Sequence, residues 1–287
     1  MTSTAAAADP LGVETPSGKD AAYENFPVGS WLLPAALRPH VAVFYAFARA
    51  IDDIADNPDL APEDKVRRLD GFEQALTTAD SEPPGFAKAC AMRHTLVATG
   101  ITDRHCRDLI DAFKQDAMQS RYRTWHELIH YCNRSAAPVG RFLLDLHGGS
   151  RHGYGPCDAL CNALQVINHL QDCADDYRTL DRVYLPLDWM DEAGAEVADL
   201  GRPGTTPALR RVIDRTLDHT ETLLADAAPL PSGLASRRLA LESAAILAIA
   251  WALVRRLRRR DPLARRVRLS KPEYLACCLR GAASVLV

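Results

Sequence analysis

The sequence lacks the cysteine patterns of disulfide-bonded and metal-binding proteins. None of its eight cysteines forms a C-x-x-C pair, and a chain of 287 residues needs no disulfide framework to stabilise its core. We therefore expect reduced, buried thiols and a cytoplasmic protein. An excess of one charge is also missing: 34 basic and 37 acidic residues leave a net charge of −3, which argues against a nucleic-acid-binding protein.

Long hydrophobic runs are absent as well. The most apolar stretch, Leu239 to Val254, has 16 residues and contains Glu242. A membrane-spanning helix needs about 20 apolar residues, so this stretch is typical of a buried core helix. Residues 1–22 lack the basic and apolar segments of a signal peptide, and we predict that they form a disordered tail before a single domain at 23–287.

Strand patterns are missing, and helical patterns replace them. Apolar positions recur at spacings of three and four from Pro34 onward, which predicts one all-α domain of eight to ten helices. The predicted helices cover residues 35–56, 62–78, 84–99, 103–120, 124–149, 156–180, 206–227, 234–260 and 271–285. The least periodic interior segment, 181–206, is predicted to connect two helices and to contain a short helix of its own.

Two pairs of aspartates stand out on this helical background. Asp52 and Asp56 follow one apolar helical stretch, and Asp172 and Asp176 follow another about 120 residues later. Residues four apart lie on one face of a helix, where two like charges repel each other. Carboxylate oxygens are preferred ligands of Mg²⁺, which completes its shell with water and substrate phosphate oxygens. The two pairs therefore predict a Mg²⁺-bridged diphosphate at the mouth of an apolar, helix-lined cavity.

The side chains around these pairs leave some alternatives open. A single acidic pair is common on a solvated helix face and need not indicate a site. Two pairs that each follow an apolar run arise by chance much less often. Asn168 lies one turn before Asp172 and extends the polar row. Arg49, one turn before Asp52, could bind the same diphosphate or form an ion pair with Asp53.

Several motifs together resemble those of the squalene/phytoene synthase family over residues 23–190. The matching segments are 25–28, 33–34, 44–49 and 52–56, then Tyr131-Cys132 with Val139-Gly140, and finally Gln165, Asn168, Asp172 and Asp176 followed by Arg182 to Pro186. The resemblance implies an all-α isoprenoid synthase bundle with a central apolar cavity. It also implies a prenyl diphosphate substrate, carbocation chemistry and two or three Mg²⁺ ions.

The same resemblance implies roles for individual residues. The implied catalytic residues are Tyr45, Arg49 and Tyr131. The implied substrate-binding residues are Phe26, Arg49, Gln165, Asn168, Arg182 and Tyr184. The implied metal ligands are Asp52, Asp56, Asn168, Asp172 and Asp176. For Tyr45 and Tyr131, stabilisation of a cation by the ring, orientation of a water and plain core packing are all open.

Two departures from the family pattern narrow the resemblance to one subgroup of the family. The family usually has Ser and Lys before Phe26 and Arg before the second aspartate pair, whereas this chain has Glu24-Asn25 and Gln171. The opening from Glu24 to Pro34 is most similar to the bacterial hydroxysqualene synthases of hopanoid biosynthesis. Their reaction converts presqualene diphosphate to hydroxysqualene by water capture without NADPH, and contact with other hopanoid-pathway enzymes is expected. Condensation of prenyl diphosphates to presqualene diphosphate, squalene or phytoene is the alternative.

A zinc-protease motif is also present. His126, Glu127 and His130 form a literal H-E-x-x-H, in which two histidines one turn apart bind zinc. Residues 131–191 contain no glutamate that could serve as a third ligand. A zinc metalloprotease is therefore a distant alternative.

A basic segment lies near the C-terminus. Nine basic residues occur between Arg255 and Lys271, with Asp261 as the one acid among them. A solvated helix end would explain them, because cations stabilise the C-terminus of a helix. A surface for anionic lipid headgroups is the other interpretation, and it predicts peripheral attachment at the inner face of the cell membrane.

Overall fold

This computed structural model describes residues 13–14, 34–79 and 82–286. Helices account for the regular secondary structure in these ranges. Strand-type pairing in these ranges is limited to two isolated bridges, Arg121 with Val183 and Ser150 with Leu234. The predicted all-α fold is confirmed. These ranges contain twelve α-helices, more than the eight to ten predicted.

Most helix boundaries lie within a few residues of the predicted ones. The helices are α1 (Arg38–Asp56), α2 (Pro62–Thr77), α3 (Ala87–Thr99), α4 (Arg104–Met118), α5 (Trp125–Ser135), α6 (Ala137–Leu146), α7 (Gly155–Leu180), α8 (Leu187–Ala193), α9 (Pro207–Ala227), α10 (Leu230–Gly233), α11 (Arg237–Leu257) and α12 (Lys271–Leu286). A 3-10 turn at Val197–Gly201 lies between α8 and α9.

The predicted helix 124–149 is wrong in one respect, because it is two helices. Its start is as expected: Thr124 Oγ1 accepts a hydrogen bond from the backbone N–H of Glu127 at 3.1 Å. The break occurs at Ala136, where φ is −121° and ψ is −47°. Pro138 has no N–H to donate to the preceding turn and restricts the residue before it, so α5 ends and α6 begins here.

The segment after α7 turns back toward the interior. Asp181 adopts a left-handed conformation with φ 51°, which Asp tolerates better than most residues. Its carboxylate pairs with Arg121 at 2.6 Å, and the backbone N–H of Arg182 donates to the carbonyl of Asp176 at 3.2 Å. The turn leaves the Arg182 side chain buried, and α8 confirms the short helix predicted in this connection.

Two hydrophobic clusters stabilise the fold. The smaller is built mainly from α1 to α4, and the larger mainly from α5, α7, α9 and α11. Phe142 of α6 joins the smaller cluster, where its ring stacks on Phe44 with centroids 4.1 Å apart. As far as the chain is described, none of its helices is both long enough and apolar enough to span a bilayer.

Two residues of the predicted tail contact this domain. The carbonyl of Val13 accepts a hydrogen bond from Arg68 at 2.8 Å, and Glu14 pairs with Lys88 at 2.5 Å. The other residues of the predicted tail lie outside the described residues, and so does Phe26.

Candidate active site

A polar cavity and an apolar cavity adjoin each other. The polar cavity, about 230 Å³, is lined chiefly by side chains of α1 and α7. The apolar cavity, about 300 Å³, is lined mostly by hydrophobic side chains of α4, α6, α7 and α11. In the described part of the chain, five residues line both cavities: Arg49, Asp52, Phe113, Gln165 and Asn168. A molecule with one polar end and a long hydrocarbon part could therefore occupy both.

The four aspartates of the two motifs all line the polar cavity. Asp52 and Asp56 lie in the last two turns of α1, and Asp172 and Asp176 lie in the last third of α7. The spacing of four puts each pair on one helix face, and both faces are presented to the same cavity. Asn168 lies one turn before Asp172 and faces the cavity too. The structure thus brings the two pairs into one site.

Two arginines pair with the aspartates of α1. Arg49 Nη1 lies 2.9 Å from the carboxylate of Asp52. Asp53, the ion-pair partner considered from the sequence, is the next residue along α1. Arg182 Nη1 lies 2.5 Å from Asp56, and its Nη2 donates to a backbone carbonyl of α1 at 3.1 Å. A guanidinium beside each carboxylate offsets the repulsion between like charges on one helix face.

A third arginine reaches the site from the other end of the chain. Arg266 Nη2 donates to Asp172 at 2.7 Å, and its Nε lies 2.6 Å from the other carboxylate oxygen. Gln171 of α7 donates a hydrogen bond to the carbonyl of Val267, the residue after Arg266. This bond holds the segment that carries Arg266 beside α7. Sequence reasoning assigned Arg266 to the basic surface segment and missed it as a site residue, because no local pattern indicates a contact 94 residues away.

Other arginines of the Arg255–Lys271 segment are also paired within the protein. Arg256 pairs with Glu273, and Arg258 Nε lies 2.9 Å from Glu221. The exposed basic residues of the segment are Arg255, Arg259, Arg260, Arg265, Arg268 and Lys271. The surface that the segment offers to a partner is therefore smaller than its sequence suggests.

The donor set of the polar cavity suits Mg²⁺ held jointly with a substrate. In the described part of the chain, no three His, Cys, Asp or Glu residues are grouped so that they could hold a metal by themselves. Mg²⁺ usually takes only one or two protein carboxylates and completes its octahedral shell with waters and phosphate oxygens. Two carboxylate pairs and the amide of Asn168, all facing one cavity, fit that requirement.

Aromatic rings and a buried carboxyl form another wall of the polar cavity. Tyr131 Oη donates to Asp116 at 2.6 Å, and Tyr184 stacks on His169 with ring centroids 3.6 Å apart. Burial raises the pKa of Asp116 to about 6, although the Arg182 charge opposes that rise. Burial and, to a smaller extent, Arg182 lower the pKa of His169 to about 3, so this imidazole is neutral at neutral pH. Asp116 and His169 are site residues that the sequence did not reveal.

Tyr45 lines the apolar cavity, one turn before Arg49 on α1. Farther along this cavity, α6 crosses α7 at Gly140. A Cβ atom at Gly140 would lie 2.6 Å from Cys157 Sγ and 2.5 Å from Cys161 Sγ. The glycine therefore permits close packing of the two helices, and the cysteines serve as small apolar lining residues.

The H-E-x-x-H motif has a structural role. Glu127 accepts a hydrogen bond from the backbone N–H of Arg123 at 2.7 Å and one from Gln119 at 2.6 Å, so its carboxylate caps the start of α5. His126 and His130 are exposed, and the described residues provide no third metal ligand beside them. These contacts give the zinc-protease alternative no support.

Comparison with known proteins identifies the family. The protein-family model described as squalene/phytoene synthase matches residues 20–273 of this chain. The hydroxysqualene synthase of Rhodopseudomonas palustris is 43% identical over 274 residues, which cover 96% of this chain and 93% of that protein. The hydroxysqualene synthase of Zymomonas mobilis is 41% identical over 272 residues, covering 94% and 91%. The crystal structure of squalene synthase HpnC from Alicyclobacillus acidocaldarius matches with a TM-score of 0.72 at 31% identity, covering 83% of this chain and 89% of that one. The chain belongs to the squalene/phytoene synthase family and is an isoprenoid synthase.

Proposed function

We propose that this enzyme converts presqualene diphosphate to hydroxysqualene by releasing diphosphate, rearranging the carbocation and adding water. The observation that carries the proposal is the junction of the two cavities. Among the described residues, five aspartates (the two pairs and Asp116) and three arginines line the polar cavity, which shares Arg49, Asp52 and Asn168 with the apolar cavity. A diphosphate group requires the charged surroundings of the polar cavity, and a hydrocarbon chain requires the apolar cavity. The hydroxysqualene synthases that align with more than nine-tenths of this chain support the choice of product.

The aspartates would hold the diphosphate end through bound Mg²⁺. Asp52 and Asp56 on α1 and Asp172 and Asp176 on α7 supply carboxylate oxygens from two sides of the cavity, and Asn168 adds an amide oxygen. When bound, Mg²⁺ neutralises the diphosphate and stabilises the charge that develops as the C–O bond breaks.

The arginines orient the leaving group. Arg49, Arg182 and Arg266 already lie beside the metal-binding carboxylates, so their guanidinium groups can donate to diphosphate oxygens with little movement. Gln165 lines both cavities and binds the substrate where its polar end meets its hydrocarbon part. A contact between Phe26 and the substrate stays a prediction.

Rings and apolar walls protect the carbocation. Tyr45 borders the apolar cavity, and Tyr131 and Tyr184 border the polar one. Because Tyr131 Oη donates to Asp116, the face of the ring is the part of Tyr131 that can stabilise a cation. The apolar walls limit access of water, so the cation can rearrange before it is trapped.

A test of Arg266 follows from its contact with Asp172. We expect Arg266→Gln to weaken binding of inorganic diphosphate in the presence of Mg²⁺ by about tenfold or more, since a hydrogen bond to a charged group contributes about 1.5–3 kcal/mol. Isothermal titration calorimetry measures this affinity. Arg265→Gln is the matched control, because Arg265 is the exposed neighbour and does not line either cavity. Equal affinities of the two variants would exclude Arg266 from the binding site.

The proposed reaction is tested with the purified chain, Mg²⁺ and either presqualene diphosphate or farnesyl diphosphate, without NADPH. We expect hydroxysqualene from presqualene diphosphate, no turnover after chelation of Mg²⁺, and no condensation of farnesyl diphosphate. Mass spectrometry identifies the products. Formation of presqualene diphosphate, squalene or phytoene from farnesyl diphosphate would establish the condensation alternative instead.

We also propose that the exposed part of the basic segment attracts anionic lipid headgroups. Arg255, Arg259 and Arg260 are exposed near the end of α11, and Leu275 and Leu279 are 60% and 64% exposed on α12. Each basic residue near an anionic membrane contributes about 1 kcal/mol of attraction. Exposed cations near the end of α11 and exposed leucines on the next helix, α12, suit an enzyme with a water-insoluble product.

Vesicle sedimentation tests this surface. We expect the wild type to bind phosphatidylglycerol vesicles better than phosphatidylcholine vesicles, and replacement of Arg255, Arg259 and Arg260 by Gln to remove the difference. Replacement of Arg67 and Arg104, which are exposed on α2 and α4, is the control. Unchanged binding of the triple variant would refute the lipid interpretation.

A further inference from the structure

Among the described residues, one residue with an ionisable carboxyl, Glu242, lines the apolar cavity away from its junction with the polar cavity. The charged lining residues of the apolar cavity in the described chain are Arg49, Asp52 and Glu242, and the first two also line the polar cavity. Glu242 lies on α11, between the lining residues Leu239 and Ile246. It is 5% exposed, and its Oε2 receives no hydrogen bond from any described residue.

A carboxyl in this position destabilises the folded protein. A buried polar atom without a partner costs about 1–3 kcal/mol, and a leucine of similar size would avoid that cost. The groups near Glu242 do not compensate. Tyr274 of α12 interacts electrostatically with Glu242, and burial, with smaller contributions from Cys278 and Glu242, raises the pKa of Tyr274 to about 12, so this phenol is neutral at neutral pH. Glu242 is therefore suited to a ligand that enters the cavity.

The raised pKa of the Glu242 carboxyl allows it to accept and release a proton near neutral pH. Burial raises the pKa of this carboxyl to about 7, so both its charged and its neutral form are populated at neutral pH. A base with a pKa near the working pH can accept a proton and release it again within one turnover. Ser135 Oγ is also buried without a partner in the same cavity, but a hydroxyl does not retain an accepted proton.

We infer that Glu242 holds the water molecule that traps the carbocation and accepts the proton which that water loses. This inference rests on the proposed function and names a residue for its last step. The oxygen of the water donates a lone pair to the cationic carbon and forms the C–O bond. One O–H bond then breaks, its electron pair stays on the oxygen, and the proton passes to the Glu242 carboxylate. The diphosphate has already left with the electron pair of its own C–O bond, so the products are an alcohol, diphosphate and one proton, which Glu242 returns to solvent.

The test separates ionisation of the substrate from capture of the cation. Wild type, Glu242→Gln and Glu242→Leu are incubated with presqualene diphosphate and Mg²⁺, and both released diphosphate and organic products are quantified. We expect diphosphate release to stay within about threefold of wild type, while the alcohol fraction falls by about tenfold or more and hydrocarbons formed by proton loss replace it. Asp226→Asn is the control, because Asp226 is an exposed carboxylate of α9 that lines neither cavity.

The stability of the Glu242 variants is a further readout. Thermal unfolding should show Glu242→Leu to be at least as stable as wild type, because it removes an unpartnered buried carboxyl. An unchanged alcohol fraction in both variants, or a parallel loss of diphosphate release and alcohol, would overturn the role of Glu242. If the wild type itself yields no alcohol from presqualene diphosphate, the proposed function fails, and this outcome is distinct from a failure of the Glu242 variants alone.

Discussion

Replacement of both Asp172 and Asp176 by Asn is expected to reduce diphosphate release by about 10³-fold, because the site then loses two carboxylates that would hold Mg²⁺, the cation that would stabilise the departing diphosphate. Both residues line the polar cavity on one face of α7. Asparagine keeps their size and helix position but binds Mg²⁺ more weakly. Steady-state assays over a range of Mg²⁺ concentrations measure the effect, which should be only partly restored at high Mg²⁺.

Asp175→Asn provides the matched control on the same helix. Asp175 is adjacent to Asp176, but its side chain is 73% exposed and pairs with Arg178 on the surface. We expect its turnover to stay close to that of wild type. Comparable losses in the Asp175 variant and the double variant would indicate damage to α7 and would count against a metal site.

Replacement of Arg182 by Leu is expected to lower the free energy of unfolding by about 3–5 kcal/mol, since removing one partner of a buried ion pair leaves the other charge uncompensated. The Arg182 side chain is 8% exposed, pairs with Asp56, and donates to the backbone carbonyls of Ala55 and Asp116 at 3.1 and 3.4 Å. Its charge also opposes the burial that raises the pKa of Asp116 to about 6. Urea denaturation monitored by circular dichroism measures the change.

The control for Arg182 is Arg178→Leu. Arg178 is 44% exposed and pairs with Asp175 on the surface, so its replacement should cost less than about 1 kcal/mol. Asp116→Asn in the Arg182→Leu background should recover part of the stability, because it removes the buried carboxyl that lost its compensating charge. A loss below about 1 kcal/mol for Arg182→Leu alone would disprove the role of this buried pair.

The aspartate pairs could be predicted from the sequence because their geometry is local. A spacing of four on a helix puts two side chains on one face wherever the helix lies, and the apolar residues before each pair indicate which way that face points. The same reasoning predicted Asn168 beside Asp172. Local geometry does not reveal long-range contacts, and for that reason Arg266 was attributed to a surface segment although it reaches Asp172.

Other site residues carried a signal that periodicity alone did not resolve. Asp116 lies seven residues after Leu109 on the apolar stripe of α4, and both are buried. Glu242 interrupts the most apolar stretch of the chain. A polar residue on an apolar stripe indicates a buried partner or a ligand, but the sequence does not tell which. The structure distinguishes the two, since Asp116 is bonded to Tyr131 and Oε2 of Glu242 has no partner among the described residues.

In the proposed reaction, water traps a carbocation after diphosphate has left. Incubation of the purified enzyme with presqualene diphosphate and Mg²⁺ in ¹⁸O-enriched water tests it most directly, with mass spectrometry of the organic product. We expect hydroxysqualene whose hydroxyl group carries the heavy isotope in proportion to its enrichment in the solvent. An alcohol with unlabelled oxygen, or a product without any hydroxyl group, would contradict it.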